Sequence, residues 1–387
     1  MTRRQRDSFL VFGRPLLGDR EIDEVADSLR KGWIGTGPKV QTFERMLEEY
    51  VGVPHVRCVS SCTAALMLGL KALGIGPGDE VIVPSMTFIA SANAVEHLGA
   101  TPVLVDSEPG TGLLDLDLAE AAITPRTAAV MPVHLAGRPV DLDRLATIRD
   151  RHGIAVIEDA AHAIGARWRG QQIGTHGNLT AYSFYVTKNI TTGEGGALAT
   201  DDPDIAARVE RLALHGLSLG AWQRFSDKGF KHYEVVEPGF KFNMMDIQAA
   251  IGIHQLPHLD TWIDERAEQW ARYDEALAGL PLRLPPPPDE KLMRHARHLY
   301  TVDVLDEARL TRDELLEALV ERKIGAGVHY RGVHTHPYYR DRYGLSPESF
   351  PVADDISQRT LSIPLSQSVT PDDLDDVIDA LSDLLRP

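Results

Sequence analysis

The chain has 387 residues, 43% of them hydrophobic, and sets 40 basic against 56 acidic side chains, a formal net charge of −16. That composition describes a soluble globular protein of two domains, or one large domain with an appendage. Its field opposes nucleic-acid phosphates and anionic membranes, so neither is expected as a partner, and no run reaches the roughly 18 apolar residues of a membrane span.

The opening "MTRRQRDSFLVFG" is basic, but its apolar stretch is short and broken at Gly13. Neither a signal peptide nor an anchor is expected there. "VQTFERMLEEYVG" has helical spacing and stops at Gly52. "HVRCVS" is strand-like and leads into "TAALMLGLKALG", a helix closed by Gly74. The only two cysteines, Cys58 and Cys62, fall here, four residues apart. They make no disulfide framework and, without a histidine cluster, no zinc site. No metal is expected, and free thiols favour a cytoplasmic location.

"DEVIVPS", "TPVLVD", "TAAVMPVH" and "IAVIEDA" follow as β-branched runs, each trailed by a helical or turn-rich stretch. The alternation predicts an α/β fold with a mostly parallel sheet between helices, whose ligands gather at the strand carboxyl ends. "DDPDIAARVERLALHG" reads as a helix, and residues 244–280 as a long helix interrupted near Pro257. "LPPPPDE" is a rigid extended connector. Beyond it, "HLYTVDVL", "TRDELLEALVERK", "IGAGVHY" and "TPDDLDDVIDALSDLL" predict a smaller α/β unit, with helix-start boxes at Thr311/Glu314 and Thr370/Asp373. The expected division is a large domain over 1–255 and a small C-terminal domain over 256–387.

Three strand ends carry polar groups. Ser60, Ser61 and Thr63 sit between a strand and a helix start, a place for an N-cap or for a phosphate cradle. Asp159 ends an apolar strand, where a carboxylate is costly without a cationic partner. His162 comes three residues later. Lys188, in "YSFYVTKNITTGEGG", lies between aromatic residues and a glycine-rich turn, with Ser183 five residues before it. Desolvation there would lower its pKa and free the amine as a nucleophile. A phosphate cradle, a carboxylate and a lysine at successive strand ends are what pyridoxal phosphate needs for its phosphate, ring nitrogen and aldehyde. Phe88, past another strand, offers either a stacking face or a core aromatic.

The stretches "SSCTAAL", "GDEVIVPSMTFIASANAV", "GATPVLVD", "IEDAAHAIGA", "SFYVTKNITTGEGG", "PGFKFNMMDIQAAIG" and "GVHYRGVHTHPYY", in this order, resemble the nucleotide-sugar aminotransferases of the DegT/DnrJ/EryC1/StrS group. The resemblance spans nearly the whole chain. It implies the aspartate-aminotransferase fold, fold type I, with pyridoxal phosphate as cofactor and its pyridoxamine form as the aminated intermediate. It makes Lys188 the Schiff-base lysine, Asp159 the partner of the pyridine nitrogen, and His162 the neighbour of the phenolic oxygen. Phe88 falls at the ring-stacking position, and Cys62, Thr63 and Ser183, with Ser61 beside them, where the family holds phosphate. Asn243 matches an asparagine that reaches the phosphate from the other subunit of a homodimer. His329 and Tyr330 match a loop near the substrate, and Trp33, Ile34 and Gly35 of "GWIGTG" a segment lining the sugar pocket.

Two departures stand out. Tyr185 replaces a histidine common among relatives and is expected to affect how the sugar is held, and Cys62 stands where glycine or alanine is common. Lys228, with Lys231 and Lys241, is a candidate cation for the diphosphate, with a solvated loop lysine as the alternative. The implied reaction is amino transfer from L-glutamate to C4 of a nucleotide-linked 4-keto sugar, in amino-sugar biosynthesis for an antibiotic or cell-surface glycan. C3-keto sugar and aminocyclitol amination are the nearest alternatives. The retained Lys188 disfavours a sugar dehydratase, and the intact set of site residues disfavours a non-catalytic binding protein.

Overall fold

The computed structural model describes residues 6–218 and 233–386. The first half builds α1 (Asp19–Lys31), α2 (Pro38–Val51), β1 (His55–Val59), α3 (Cys62–Ala72), β2 (Glu80–Pro84), α4 (Ile89–Glu96), β3 (Thr101–Val105), α5 (Leu116–Ala121), β4 (Thr127–Val130), α6 (Leu142–His152) and β5 (Ala155–Asp159). Next come β6 (Arg167–Trp168), β7 (Gln171–Gln172), β8 (Leu179–Ser183), β9 (Gly196–Thr200), α7 (Pro203–Ala213) and α8 (Asp246–Gln255). The C-terminal part holds α9 (Leu259–Leu277), β10 (Leu282–Arg283), β11 (Met293–Arg294), β12 (Tyr300–Val304), α10 (Arg312–Glu321), α11 (Pro337–Tyr343), α12 (Pro351–Arg359), β13 (Thr360–Ile363) and α13 (Pro371–Leu385).

Seven strands form one sheet in the order β1-β9-β8-β5-β4-β2-β3. Only β9 runs against its neighbours, pairing antiparallel with both β1 and β8. The sheet is therefore mixed and mostly parallel, with strands β2, β8 and β9 buried along their whole length. Such strands are apolar on both faces because helices cover both. One face carries α3 and α7 over Leu66, Leu70, Ile157 and Leu198. The other carries α2 and α6 over Phe43, Leu47, Val156 and Leu145. Helix α3 lies close on the sheet because Gly69 has no side chain: a Cβ there would come 2.6 Å from Ile157 Cδ1.

The interruption expected near Pro257 is a 3-10 turn, Leu256–His258, between α8 and α9. Proline lacks the amide that would continue the α-helical ladder. A second sheet, β10-β12-β13, is antiparallel and packs under α9, α10 and α13 around Tyr300, Val302, Leu315 and Val377. Residue Leu10 joins this core, and Arg6 pairs with Asp373 (2.5 Å) and Asp376 (2.6 Å). "IGAGVHY" is not a strand; it touches β13 through one bridge, Gly327 to Ser362. A third, small sheet joins β11, β6 and β7.

Both helix-start boxes form. Thr311 Oγ1 accepts the Glu314 amide and Thr370 Oγ1 accepts the Asp373 amide, each reciprocated by the acid. Replacing Thr370 with alanine removes one such acceptor and is expected to lower stability by about 1 kcal/mol. A urea titration checks this, with the midpoint falling and the slope unchanged.

Candidate active site

The chain's three polar strand ends converge at the carboxyl edge of the main sheet. Asp159 closes β5 and is 5% exposed. Its Oδ2 accepts the Ser91 hydroxyl at 2.7 Å, and its Oδ1 accepts the Ala161 amide at 3.1 Å. The Cys62 thiol lies 3.9 Å from the same Oδ1. Among the described residues no cation stands within ion-pair distance of it. A buried carboxylate held by neutral donors alone has room for a cationic ligand group, and a protonated pyridine nitrogen is one.

Lys188 sits at the tip of the loop between β8 and β9. The loop doubles back on itself, with the Thr192 amide and the Thr191 hydroxyl both on the Phe184 carbonyl. Its flanks, Phe184, Asn189 and Ile190, are buried, and Lys188 itself is half-buried. Desolvation lowers its pKa to about 8, against the opposing pull of Cys62 and Asp159. The Cys62 thiol is pushed up by burial and by Asp159, so it stays protonated and packs as a small apolar group.

His162 Nδ1 accepts the Ala136 amide at 3.1 Å, which leaves the ring proton on Nε2. That proton is donated to the Tyr330 oxygen, 3.0 Å away. Burial and the neighbouring Lys188 hold His162 well below its usual range, so the ring is neutral. Tyr330 thereby ties the C-terminal part to the strand ends, and its ring lies 5.4 Å from that of Phe88. Phe88 precedes α4 and is 55% exposed. That exposure excludes a core aromatic under a helix and leaves the ring open to a ligand. His329 Nδ1 bonds Ser362 Oγ at 2.8 Å and is depressed to about 4 by burial and Lys188.

At the start of α3, Ser61 is an N-cap whose Oγ accepts the Ala64 amide at 3.1 Å. That bond uses an oxygen lone pair and leaves the hydroxyl proton available to donate. The amides of Cys62 and Thr63 and the Thr63 hydroxyl have no partner among the described residues, and they face a helix start suited to an anion. Ser183 stands across the sheet, with Gly196 pairing to Val59 on one side and to Ser183 on the other. A Cβ on Gly196 would lie 2.5 Å from the Cys62 nitrogen, so glycine is what lets β9 approach the helix start.

Asn243 pairs its backbone with Val59 of its own chain. Its side chain is held by Thr36 Oγ1 (2.6 Å) and Lys241 Nζ (2.5 Å). Trp33, Ile34 and Gly35 lie beside it at the start of α8, where the Asp246 amide bonds the Gly35 carbonyl. Trp33, Ile34 and Tyr185 are exposed, at 38%, 49% and 44%. Lys228 and Lys231 lie outside the described residues. The sequence reading missed Ser91, Ala136 and Thr36. Ser91 follows Phe88 by three residues, the one local hint that both face the same site.

The DegT/DnrJ/EryC1/StrS aminotransferase family matches residues 15–382. The spore coat polysaccharide biosynthesis protein SpsC of Bacillus subtilis is 47% identical over 99% of this chain and 98% of its own. The solved structure of Spr1654 from Streptococcus pneumoniae, named as a sugar aminotransferase and captured in its PMP form, superposes with a TM-score of 0.90 at 34% identity. It covers 97% of this chain and 98% of its own. DesV of S. venezuelae, in complex with a ketimine intermediate, gives 0.83 at 40% identity over 94% and 93%. Fold, strand-end site and sequence together describe an aminotransferase. The chain belongs to the DegT/DnrJ/EryC1/StrS aminotransferase family.

The lowered pKa of Lys188 has a kinetic consequence. Below about 8 its amine is protonated and cannot attack a carbonyl; above that it is free. The rate at which apoprotein captures pyridoxal phosphate, followed by visible absorbance, should rise with pH and level off near pH 8. A rise that continues toward the ordinary lysine value of 10.5 would mean that the loop does not desolvate the amine.

Proposed function

We propose that this sugar aminotransferase moves an amino group from L-glutamate to C4 of a nucleoside-diphosphate 4-keto sugar, of the dTDP-4-keto-6-deoxyglucose type. The observation that carries the chemistry is a desolvated lysine near a buried carboxylate that has no cation at ion-pair distance among the described residues. Pyridoxal phosphate, cycling with its pyridoxamine form, is the cofactor. When bound, it supplies an aldehyde for the amine and a ring that takes up the electron pair of a deprotonated carbon.

In this reading the Cys62 and Thr63 amides, with the hydroxyls of Thr63 and Ser183, hold the phosphate. Asp159 keeps the ring nitrogen protonated, and Ser91 and the Ala161 amide keep Asp159 in place. Phe88 stacks on one ring face. His162, neutral, anchored at Nδ1 and held at Nε2 by Tyr330, would stand beside the phenolic oxygen. Lys188 takes the proton from Cα of glutamate and later returns one to the carbon of the sugar that receives nitrogen. Trp33, Ile34, Gly35, Tyr185, His329 and Tyr330 border the sugar.

We further propose a homodimer in the cytoplasm. Leu16, Leu17, Ile22 and Leu29 are about half exposed in the single chain, together with Trp33 and Ile34. An apolar patch of that kind on the site side suits a second copy. The buried, unpaired Cys58 and Cys62 suit a reducing compartment. No helix among the described residues is long and apolar enough to cross a membrane. The kinship with a spore coat polysaccharide protein favours a glycan pathway. The division at 255/256 into a cofactor domain and a small domain is part of the same proposal.

Three experiments test this reading. Wild type, assayed with glutamate and a panel of 3-keto and 4-keto nucleotide sugars, should aminate a 4-keto sugar, with NMR locating the new nitrogen. Amination at C3 alone would overturn the regiochemistry. Lys188→Ala should give no steady turnover, and Asp159→Asn should lose about a hundredfold or more. For the shared site, Lys188→Ala and Asn243→Ala proteins are mixed and allowed to exchange subunits. Activity should exceed that of either variant, because one hybrid site regains both residues. No gain would mean that Asn243 serves its own chain.

A further inference from the structure

Residues Leu135–Gly137 form a 3-10 turn between β4 and α6, and Ala136 within it carries the amide that anchors His162. That amide sets more than the ring's position. The Tyr330 hydroxyl, at the other ring nitrogen of His162, can either donate or accept. The Ala136 amide can only donate, so of these two contacts it alone fixes the His162 proton on Nε2. Yet Ala136 sits at φ 56°, a left-handed conformation that resists any residue with a Cβ. Such a conformation persists only where the surroundings over-determine it.

His134 supplies that constraint. It is fully buried, as is Glu158 on β5. Its backbone amide donates to the Asp159 carbonyl at 3.1 Å, and its carbonyl accepts the Gly137 amide at 3.1 Å. Its Nδ1 accepts the Val140 amide at 3.0 Å, so the imidazole reaches from the near end of the turn to the far end. Its Nε2 donates to Glu158 Oε2 at 2.7 Å. An amide that only donates and a carboxylate that only accepts leave His134 a single tautomer. Asn178 Nδ2 takes the other Glu158 oxygen at 2.8 Å, and Arg149 Nη1 holds Asn178 Oδ1 at 2.8 Å. From the opposite side, the Ala136 carbonyl accepts the His298 amide at 3.0 Å. The packing is tight: a Cβ on Gly137 would lie 2.9 Å from the His162 carbonyl oxygen.

We propose that His134, oriented by Glu158, is a positioning residue for His162: it closes the turn over 135–139 and so holds the Ala136 amide where it fixes the His162 tautomer. Its value to the reaction rests on the proposed place of His162 beside the phenolic oxygen of the cofactor. A His162 ring of the other tautomer, or one that has turned, offers that oxygen a different hydrogen-bonding edge. The contacts run from Arg149 on α6 through Asn178, Glu158 and His134 to the turn, and from the turn to His162.

His134→Gln can still reach Glu158 with its amide, but it leaves the Val140 amide without an acceptor. The first readout is NMR of the full-length chain freed of cofactor and labelled with 15N at histidine. Wild-type His162, assigned by the signal lost in His162→Gln, should show one tautomer, and His134→Gln should show both. The second readout is the conversion of holoenzyme to its pyridoxamine form by glutamate, followed by visible absorbance. Its limiting rate should fall about tenfold or more in His134→Gln, with the half-saturating glutamate concentration changed by less than about twofold. Should His134→Gln not fold, Glu158→Gln carries the same measurements, since an amide offers one acceptor oxygen where His134 and Asn178 need two. Thr370→Ala, destabilised at a distance, is the control and should keep the single tautomer and the wild-type rate. The proposal is overturned by a single His162 tautomer in the variant, by an unchanged limiting rate, or by an equal loss in Thr370→Ala. A wild type inert to glutamate would instead strike the proposed amino donor, and the tautomer, read without cofactor, would then decide alone.

Discussion

The structure is organised around a buried carboxylate that has no cation at ion-pair distance among the described residues. Asp159 stands at the end of β5, in contact with a hydroxyl, an amide and a thiol, and none of these carries charge. In a low-dielectric setting such a group is tolerated only where binding energy from elsewhere compensates. Everything at the carboxyl edge of the sheet fits that requirement. The α4 start brings Ser91, the α3 start brings Cys62, and the β8–β9 loop brings Lys188.

Its neighbour Glu158 shows what a structural acid looks like in the same strand. It points to the opposite face, where His134 Nε2 (2.7 Å) and Asn178 Nδ2 (2.8 Å) occupy both oxygens. Those partners hold Glu158 below the usual carboxylate range even though burial pushes it up. Two adjacent acids thus divide between a closed network and an open site, because successive residues of a strand face opposite ways. The same division explains the neutral histidines. His162, His295 and His298 are all buried and depressed, so they act as fixed N–H donors and acceptors.

The C-terminal part closes the arrangement. Tyr330 reaches His162 and approaches Phe88, so one loop joins residues of two distant segments at the strand ends. Arg266 fastens that side to the rest: it is fully buried on α9 and donates to the carbonyls of His298 and Leu365 and to Gln367. The turn at Pro257 sets the direction in which α9 leaves α8, and so where this loop arrives.

The sequence by itself determined the strands, the helix caps and the chemical types at the strand ends. Those depend on local rules: β-branched runs, glycine stops, and threonine with an acid three residues on. It also carried enough of the family pattern to name the family and to single out Lys188, Asp159 and Phe88 as candidates. Ser61 shows the limit of a local reading, since the sequence offers a cap candidate and only the structure shows its Oγ on the Ala64 amide. Ser91 on Asp159, Ala136 on His162 and Tyr330 across to His162 were decided by tertiary structure alone. Their separations of 68, 26 and 168 residues put them beyond any periodicity. A charge's partner, or the lack of one, is set by packing between distant segments, and no local rule encodes that.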